Sequence, residues 1–422
     1  MASASHIRVC GLAVGWSLAG VLLAGTTTLP PSASILSAFA PCLTRVGTPV
    51  VVSGVWTSAY TNTSLADSVT INASDAQFLT TAQVPVVLSG AAGVCYSGGE
   101  TLGQLPPSTD WDTMHDTYAM KVVDVPGFVL EGTREFDYGD GITIQGSTTQ
   151  WTIRGVYFHY MRDDCIQNDW LNSGTVEDSF FDGCFVGMSA RTFTSGQGDG
   201  SANVVVVRNS LFRLQPMDEG YSDPGNGGFF KWDPAGKGPQ LSLHGNVYRV
   251  DEQSQHSQHS FVPAASKLKD CSNNVMIWLG TGPFPEALPS CYRLLTGAEG
   301  LQYWNEAAAA WKAAHPPRLA DVAKPIVRLY APRSAATVQG TVQLTATAVD
   351  DRDVVGVQFK LNGQPIGAEV TGEVRPTKFT LSWDSRTTGN GSYTLTATAR
   401  DAAGNTQTSA STTVRVESTS TP

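Results

Sequence analysis

Apolar and polar positions repeat as a short unit in the middle of the chain. Thr152-Ile153-Arg154-Gly155-Val156-Tyr157-Phe158 and Thr175-Val176-Glu177-Asp178-Ser179-Phe180-Phe181 share one plan, 23 residues apart. An apolar residue is followed by two polar ones, a small or polar residue, and an aromatic pair. Such a unit reads as a strand, a corner and a second strand. A period in the low twenties predicts stacked coils of a solenoid. Further copies occur at Val207-Arg208-Asn209-Ser210-Leu211-Phe212, Leu243-His244-Gly245-Asn246-Val247-Tyr248 and Cys271-Ser272-Asn273-Asn274-Val275-Met276. Their offsets of 31, 36 and 28 residues require insertions to loop out between coils. Weaker copies begin at Phe128 and Ile142. The Asn or Asp before the apolar pair is expected to take the left-handed conformation that a sharp corner needs.

The pattern changes on both sides of these coils. Residues 41–120 carry short apolar runs separated by Ser, Thr, Gly and Asn, and are expected to cap the solenoid's open core. Leu301, Trp304, Ala308 and Trp311 have helical spacing and are stopped by Pro316-Pro317, which predicts a capping helix and linker over 299–324. Its aromatics are expected to lie on the last coil. Residues 325–417 alternate as strands do, with hairpin signals at Asn362-Gly363 and Asn390-Gly391. A polar tail, 418–422, follows.

The repeated unit resembles the right-handed parallel β-helix of secreted pectate-lyase-like proteins, over roughly residues 120–295. Val354-Val355-Gly356-Val357-Gln358-Phe359-Lys360-Leu361-Asn362-Gly363 resembles a bacterial immunoglobulin-like domain. Trp383-Asp384, Asn390-Gly391-Ser392-Tyr393 and Asp401-Ala402-Ala403-Gly404-Asn405 extend that likeness. The two resemblances imply an all-β protein. A right-handed parallel β-helix solenoid with an N-terminal cap (41–298) is followed by a small immunoglobulin-like β-sandwich (325–417), a module that in its family serves as spacer or adhesion unit.

Composition adds compartment and partner class. The 422-residue chain carries a net charge of −10 and only 15% charged residues, which argues against a nucleic-acid partner. Arg8 and the apolar run over 9–25 read as a signal peptide, with small-residue cleavage sites near Ala24-Gly25 or Ala38-Phe39-Ala40. Residues 1–40 are accordingly assigned to signal and mature N-terminal tail, and the protein is expected to be exported, secreted or periplasmic. No later segment has the pattern of a bilayer span. Beyond Cys10, six cysteines remain, an even number that in an exported chain predicts disulfides. Cys165 and Cys184 are 19 residues apart, and Cys271 and Cys291 are 20 apart. Both gaps approximate one coil, so each pair bridges neighbouring strands. Cys42 and Cys95 are left to pair with each other.

Stacked coils bring distant residues to one flank. Arg162-Asp163-Asp164-Cys165-Ile166-Gln167-Asn168-Asp169-Trp170, Met188-Ser189-Ala190-Arg191 and Phe229-Phe230-Lys231-Trp232-Asp233 are the segments expected to share it. Three functions follow. A polysaccharide lyase acting by β-elimination on a uronate would hold Ca²⁺ on Asp163, Asp164 and Asp169 through hard oxygen ligands. Lys231 or Arg191 would be base or carboxylate clamp, as the resemblance to β-helix lyases implies. Trp170 and Trp232 would stack on sugar faces beside Asn168. A glycoside hydrolase would use two carboxylates. Asp163-Asp164 is similar to the paired aspartates of β-helix polygalacturonases, but that family's Gly-His-Gly and Arg-Ile-Lys motifs are absent. A non-catalytic glycan-binding or cell-surface structural protein would use the same residues at corners and in ion pairs. Lyase is the leading reading, with a polysaccharide or cell-surface glycan as partner and a monomeric chain. His115 is expected to be structural, and His256 and His259 to lie in a polar loop rather than bind metal.

Overall fold

The computed structural model describes residues 41–106, 109–192, 198–217, 225–254, 256, 259–371 and 377–417. The signal region 1–40, the tail 418–422 and parts of the loops around 193–197, 218–224 and 255–258 lie outside the described residues. The protein is all-β, with a large parallel sheet wound into a nearly closed solenoid and a separate C-terminal sandwich.

Each coil contributes to three parallel columns of strands. The first column includes Val86–Ser89, Tyr118–Val123, Asp140–Gln145, the ends of Tyr157–Gln167 and Phe180–Ala190, and Phe230–Trp232. The second includes Cys95–Ser97, Val129–Glu131, Trp151–Arg154, Gly174–Glu177, Val204–Arg208, Gln240–His244 and Leu268–Ser272. The third includes Glu100–Gly103, Arg134–Phe136, the starts of Tyr157–Gln167 and Phe180–Ala190, then Leu211–Leu214, Val247–Val250, Asn274–Trp278 and Tyr292–Thr296.

In-register pairing turns each apolar position of the repeated unit into a stack. Ile153, Val176, Val207 and Leu243 form one such stack inside the solenoid. Phe158, Phe181, Phe212, Tyr248 and Met276 form another, with Phe181 and Phe212 centroids 4.6 Å apart. Side chains alternate across a strand, so the neighbours of these residues must point outward.

The corner between the second and third columns bears out the left-handed expectation at Asp178, Asn209 and Asn273, and not at Asn246 or Asn274. The left-handed residues are Gly132, Gly155, Asp178, Asn209, Gly245 and Asn273. They sit one position before the residue that precedes the apolar pair. That next residue instead forms a buried hydrogen-bonded ladder. Val156 N donates to Ser179 Oγ (3.4 Å), Ser179 N to Ser210 Oγ (3.2 Å), Ser210 N to Asn246 Oδ1 (3.1 Å) and Asn246 N to Asn274 Oδ1 (3.1 Å). Thus Asn246 and Asn274 satisfy turn amides that would otherwise be orphaned in the core.

Two assignments are corrected. Residues 50–106 are coils and not a cap, because Val50–Trp56 pairs in parallel with Thr70–Thr80, and Thr70–Thr80 with Cys95–Ser97 and Glu100–Gly103. The short runs of this region misled because each strand is only a few residues long. The helix Gly297–Ala314 does not end the solenoid. It runs back along the outside of the third column, where Tyr303, Trp304, Ala307 and Trp311 bury against Tyr157, Phe180, Leu211, Val247, Val275 and Ile277. These outward residues are apolar across several coils, and only an element laid along them removes them from water.

All three expected disulfides form, Cys42–Cys95, Cys165–Cys184 and Cys271–Cys291, with Cα–Cα separations of 5.6, 5.6 and 5.8 Å. The sandwich packs the three-stranded sheet of Ile326–Ala331, Thr341–Val349 and Lys378–Asp384 against a second sheet containing Val354–Leu361 and Gly391–Asp401. It has a core of its own around Leu344, Phe359, Phe379 and Leu395. It also touches the solenoid. Arg352 pairs with Glu100 at 2.5 Å, and Val349 and Ala323 join Leu102, Phe136, Tyr160 and Phe185 in one apolar cluster.

Candidate functional site

Alternation along the first column sends Ile142, Ile166, Met188 and Phe230 inward and puts Thr143, Gln167, Ser189 and Lys231 in register outside. Pairing slips between Met161 and Asp164, at the bend where the chain leaves the third column for the first. The slip places Asp163 and Asp164 beside Asp140, which opens the strand of the preceding coil. Asp164 N donates to Asp140 Oδ1 at 2.9 Å.

Lys231 reaches this bend from two coils away. Its Nζ lies 3.2 Å from both carboxylate oxygens of Asp164 and 3.5 Å from Asp163 Oδ1. One step along, Ser189 Oγ donates to Asp169 Oδ1 at 2.7 Å, and the Arg191 backbone NH donates to the same oxygen at 2.8 Å. Asp140, Asp163, Asp164, Asp169, Ser189 and Lys231 are all buried.

Burial without full compensation sets the protonation states. Burial pushes the Asp164 carboxyl up to about 7 against the pull of Lys231, with Asp163 adding repulsion. Burial and the Asp164 charge bring Asp169 to about 7 as well. Asp140 is pushed well above the carboxylate range by burial, then by Asp164 and Asp163. Burial opposes the Lys231 ammonium, but Asp164, Asp163, Asp140 and Asp169 outweigh it and raise its pKa, so it stays charged.

Of the residues expected to share a site, the structure joins Lys231, Asp163 and Asp164 directly; Ser189, in register with Lys231, holds Asp169, which Arg191 meets through its backbone NH. It does not do so for the remaining residues. Asn168 is a corner lock, donating through Nδ2 to Asn172 O (2.8 Å) and accepting from Asn172 N (3.1 Å). Trp232 turns its ring toward Phe230 and the core and donates from Nε1 to Pro239 O. Trp170 is 44% exposed and free to meet a ligand. Four more groups stand near the site: Asp140 and Tyr118, and the two histidines His115 and His259, which the sequence assigns to structural and loop roles. Asp140 lies one coil period, 24 residues, before Asp164, so the period itself was the signal. Tyr118, in register with Asp140, is pushed up to about 12 by burial and then by Asp140, Asp116, Asp163 and Asp169. His115 stacks on Trp111 and its field reaches Asp163. His259 is held down to about 3 by burial, then by Lys231, His256 and Arg191. No local motif marks these last three; only folding carries them to the site.

The carboxylates fit the ammonium better than calcium. Lys231 Nζ occupies the place among Asp163 and Asp164 where a cation would sit, and Asp169 turns to Ser189 and Arg191. The acidic oxygens that do converge with Asp163 and Asp164 belong to Asp140.

A second concave feature lies on the third column, a groove of about 970 Å³ between the column, the helix Gly297–Ala314 and the sandwich. The outward row His159, Asp182, Arg213, Arg249 forms its floor. Arg213 pairs with Asp182 at 2.5 Å, and Arg249 forks onto Asp251 with two contacts of 2.9 Å. Lys312 closes one side through Asp353.

Residues 325–397 match the bacterial Ig domain family. No curated protein is similar to the chain at a significant level. Among solved structures, the chain is similar to the fibronectin(III)-like modules of Clostridium thermocellum CbhA, at 24% identity over 24% of this chain and 50% of that one, with a TM-score of 0.19. It is also similar to the endo-beta-1,4-mannanase from Thermotoga petrophila, at 10% identity over 43% of this chain and 47% of that one, with a TM-score of 0.21. The chain thus spans about half the length of either structure. Three disulfides and a bacterial Ig domain are consistent with an extracellular protein. No helix among the described residues is long and apolar enough to cross a membrane.

Proposed function

We propose that this is an extracellular carbohydrate-active protein that cleaves a uronate-containing polysaccharide by β-elimination at the first column. One observation carries the reading: a charged lysine and several buried carboxyl groups converge on the outward row of a single sheet, two of the carboxyls poised near neutrality. Perturbed groups of this kind mark acid–base chemistry. Lys231 is not the base, since its own carboxylate neighbours keep it protonated. It serves with Arg191 as the positive charge that offsets the uronate carboxylate. Asp169, half-ionised at neutral pH and beside Arg191, takes the C5 proton. The electron pair forms the C4–C5 double bond, the C4–O bond breaks, and a neighbouring acid returns a proton to the leaving oxygen. Exposed Trp170 supplies an apolar face for a sugar ring. The test is a panel of acidic polysaccharides followed by ultraviolet absorbance of the unsaturated product. Asp169→Asn should lower the rate at least a hundredfold, of the order seen for loss of a general base. New reducing ends without that absorbance would replace elimination by hydrolysis.

Burial of the Asp164 site and the open groove on the third column favour a second reading, non-catalytic glycan binding. There the Asp182, Arg213, Arg249 and Asp251 row would hydrogen-bond sugar hydroxyls. Saturable binding with no product of either kind would select it, and Arg249→Ala should then weaken binding.

A further inference from the structure

The outward row of the second column changes character at its end. In the register Glu131, Arg154, Glu177, Arg208, His244, Ser272, the first four residues form an ion-pair ladder, Arg154 on Glu131 and Arg208 on Glu177. The last two do not continue it. His244 turns Nδ1 to Ser272 Oγ at 2.9 Å and Nε2 to Asp270 Oδ1 at 2.9 Å. Ser242 Oγ lies 2.9 Å from the same Nε2 and donates to the same Asp270 oxygen.

Parallel register brings these four side chains together. Residues two apart on a strand share a face, so Ser242 and His244 point outward while Leu241 and Leu243 fill the core. Asp270 pairs with Ser242 and Ser272 with His244 on the next strand, which places all four on one patch. The hydrogen bonds assign the imidazole tautomer. The Asp270 carboxyl is held below the ordinary carboxylate range by the Ser242 hydroxyl and then, against slight burial, by His244. An ionised carboxylate only accepts, so Nε2 carries the proton and Nδ1 is left to accept from the Ser272 hydroxyl. A hydroxyl on one imidazole nitrogen, with a carboxylate holding the other, is the arrangement of an activated serine.

We propose that Ser272 and His244, oriented by Asp270, form a second active site, an esterase that removes small acyl groups from a polysaccharide. Ser272 Oγ attacks the ester carbonyl carbon and passes its proton to His244 Nδ1. The bond from that carbon to the sugar oxygen breaks, and His244 returns the proton to the departing oxygen. Water then attacks the acyl-serine and gives a proton to His244, which hands it to Ser272 Oγ as the carboxylic acid leaves. Asp270 is a positioning residue that holds the ring. The His244 and Asp270 side chains are 39% and 52% exposed, and Leu268–Ser272 is the last strand of its column among the described residues. An open sheet face cannot enclose a large acyl chain, but a polymer can lie across it with a small ester at Ser272. The polysaccharide as carrier rests on the carbohydrate reading above; the acyl transfer does not.

The test uses the full chain. A fluorophosphonate probe, located by peptide mass mapping, should label Ser272 in the parent and not in His244→Ala. Acetate release from an acetylated polysaccharide and from p-nitrophenyl acetate should fall about a hundredfold or more in Ser272→Ala and in His244→Ala, the scale of a lost general base. Asp270→Asn should lower kcat with KM unchanged, a split that a merely structural role would not give. The proposal is overturned if the probe labels no serine or labels Ser242 instead, if Ser272→Ala keeps the parent's turnover, or if acetate comes from p-nitrophenyl acetate alone. Neither readout involves the unsaturated product of elimination, so failure here and failure of the first-column reading are told apart.

Discussion

Replacing Lys231 by Met keeps most of the stem's volume and deletes the ammonium, and its cost should depend on pH in a defined direction. At the effective dielectric of about 20 that suits buried pairs, unit charges 3.2 Å apart attract by roughly 5 kcal/mol. Desolvation offsets much of this, but breaking one side of a buried pair still costs about 3–5 kcal/mol. Asp164 decides when that cost appears. Its folded pKa of about 7 lies above the ordinary carboxylate value, so below pH 7 it is already protonated in the folded protein. At pH 5, therefore, Lys231→Met removes a hydrogen bond to a neutral acid, worth about 1 kcal/mol, together with the weaker attraction to Asp163. Above pH 7 the parent ionises Asp164 against Lys231, whereas the variant has lost the charge that allows it and keeps its proton. The folded variant then binds more protons than the folded parent. Each pH unit above 7 should widen the stability gap by about 1.4 kcal/mol until Asp164 ionises in the variant too. Urea unfolding at pH 5, 7 and 8 measures this. A loss that is equal at all three values, or larger at pH 5, would refute the claim that the ammonium is paired with Asp164.

Three further outcomes follow from the packing. Asn246→Ala strips an acceptor from Ser210 N and a donor from Val207 O inside the corner ladder, and should cost about 2–4 kcal/mol by denaturant unfolding, since each buried group left unsatisfied costs about 1–3 kcal/mol. Trp311→Ala removes the ring that packs on Phe180 and Tyr157 and should cost about 3–5 kcal/mol, while Leu301→Ala, a partly exposed position on the same helix, should cost much less. Peptide mapping without reduction should recover the pairs 42–95, 165–184 and 271–291, and Cys165→Ser with Cys184→Ser should lower stability by about 3 kcal/mol on loop entropy.

Coil stacking was legible because the solenoid is a nearly one-dimensional object. Each repeat meets mainly its neighbours, so a period in sequence becomes a stack in space. That is why Cys165 and Cys184, 19 residues apart, could be paired before any coordinates, and why Asp163 and Asp164 could be set near Lys231. Asp140, 24 residues before Asp164, obeys the same logic. The corner ladder was half legible. The left-handed role falls to an Asn or Asp as expected at Asp178, Asn209 and Asn273, whereas Asn246 and Asn274, directly before their pairs, carry the hydrogen bonds instead. Two adjacent turn residues divide the work, and propensity alone does not say which takes the backbone strain and which the hydrogen bonds.

The order of apolar and polar residues by itself determined that this chain is a solenoid followed by a sandwich, that Cys165–Cys184 and Cys271–Cys291 join in one-coil pairs with Cys42–Cys95 left over, and that charge gathers on one flank. Those properties depend on residues close in sequence or separated by one regular period. Tertiary structure decided the rest. The helix Gly297–Ala314 turns back along Phe180 and Tyr157 because those outward residues need cover, and its own amphipathic pattern does not name that partner. Tyr118, His115 and His259 reach the Lys231 site only through the bend of the coils and their inserted loops. The protonation of Asp164 and Asp169 depends on burial and on neighbouring charge, and neither quantity exists until the coils have closed.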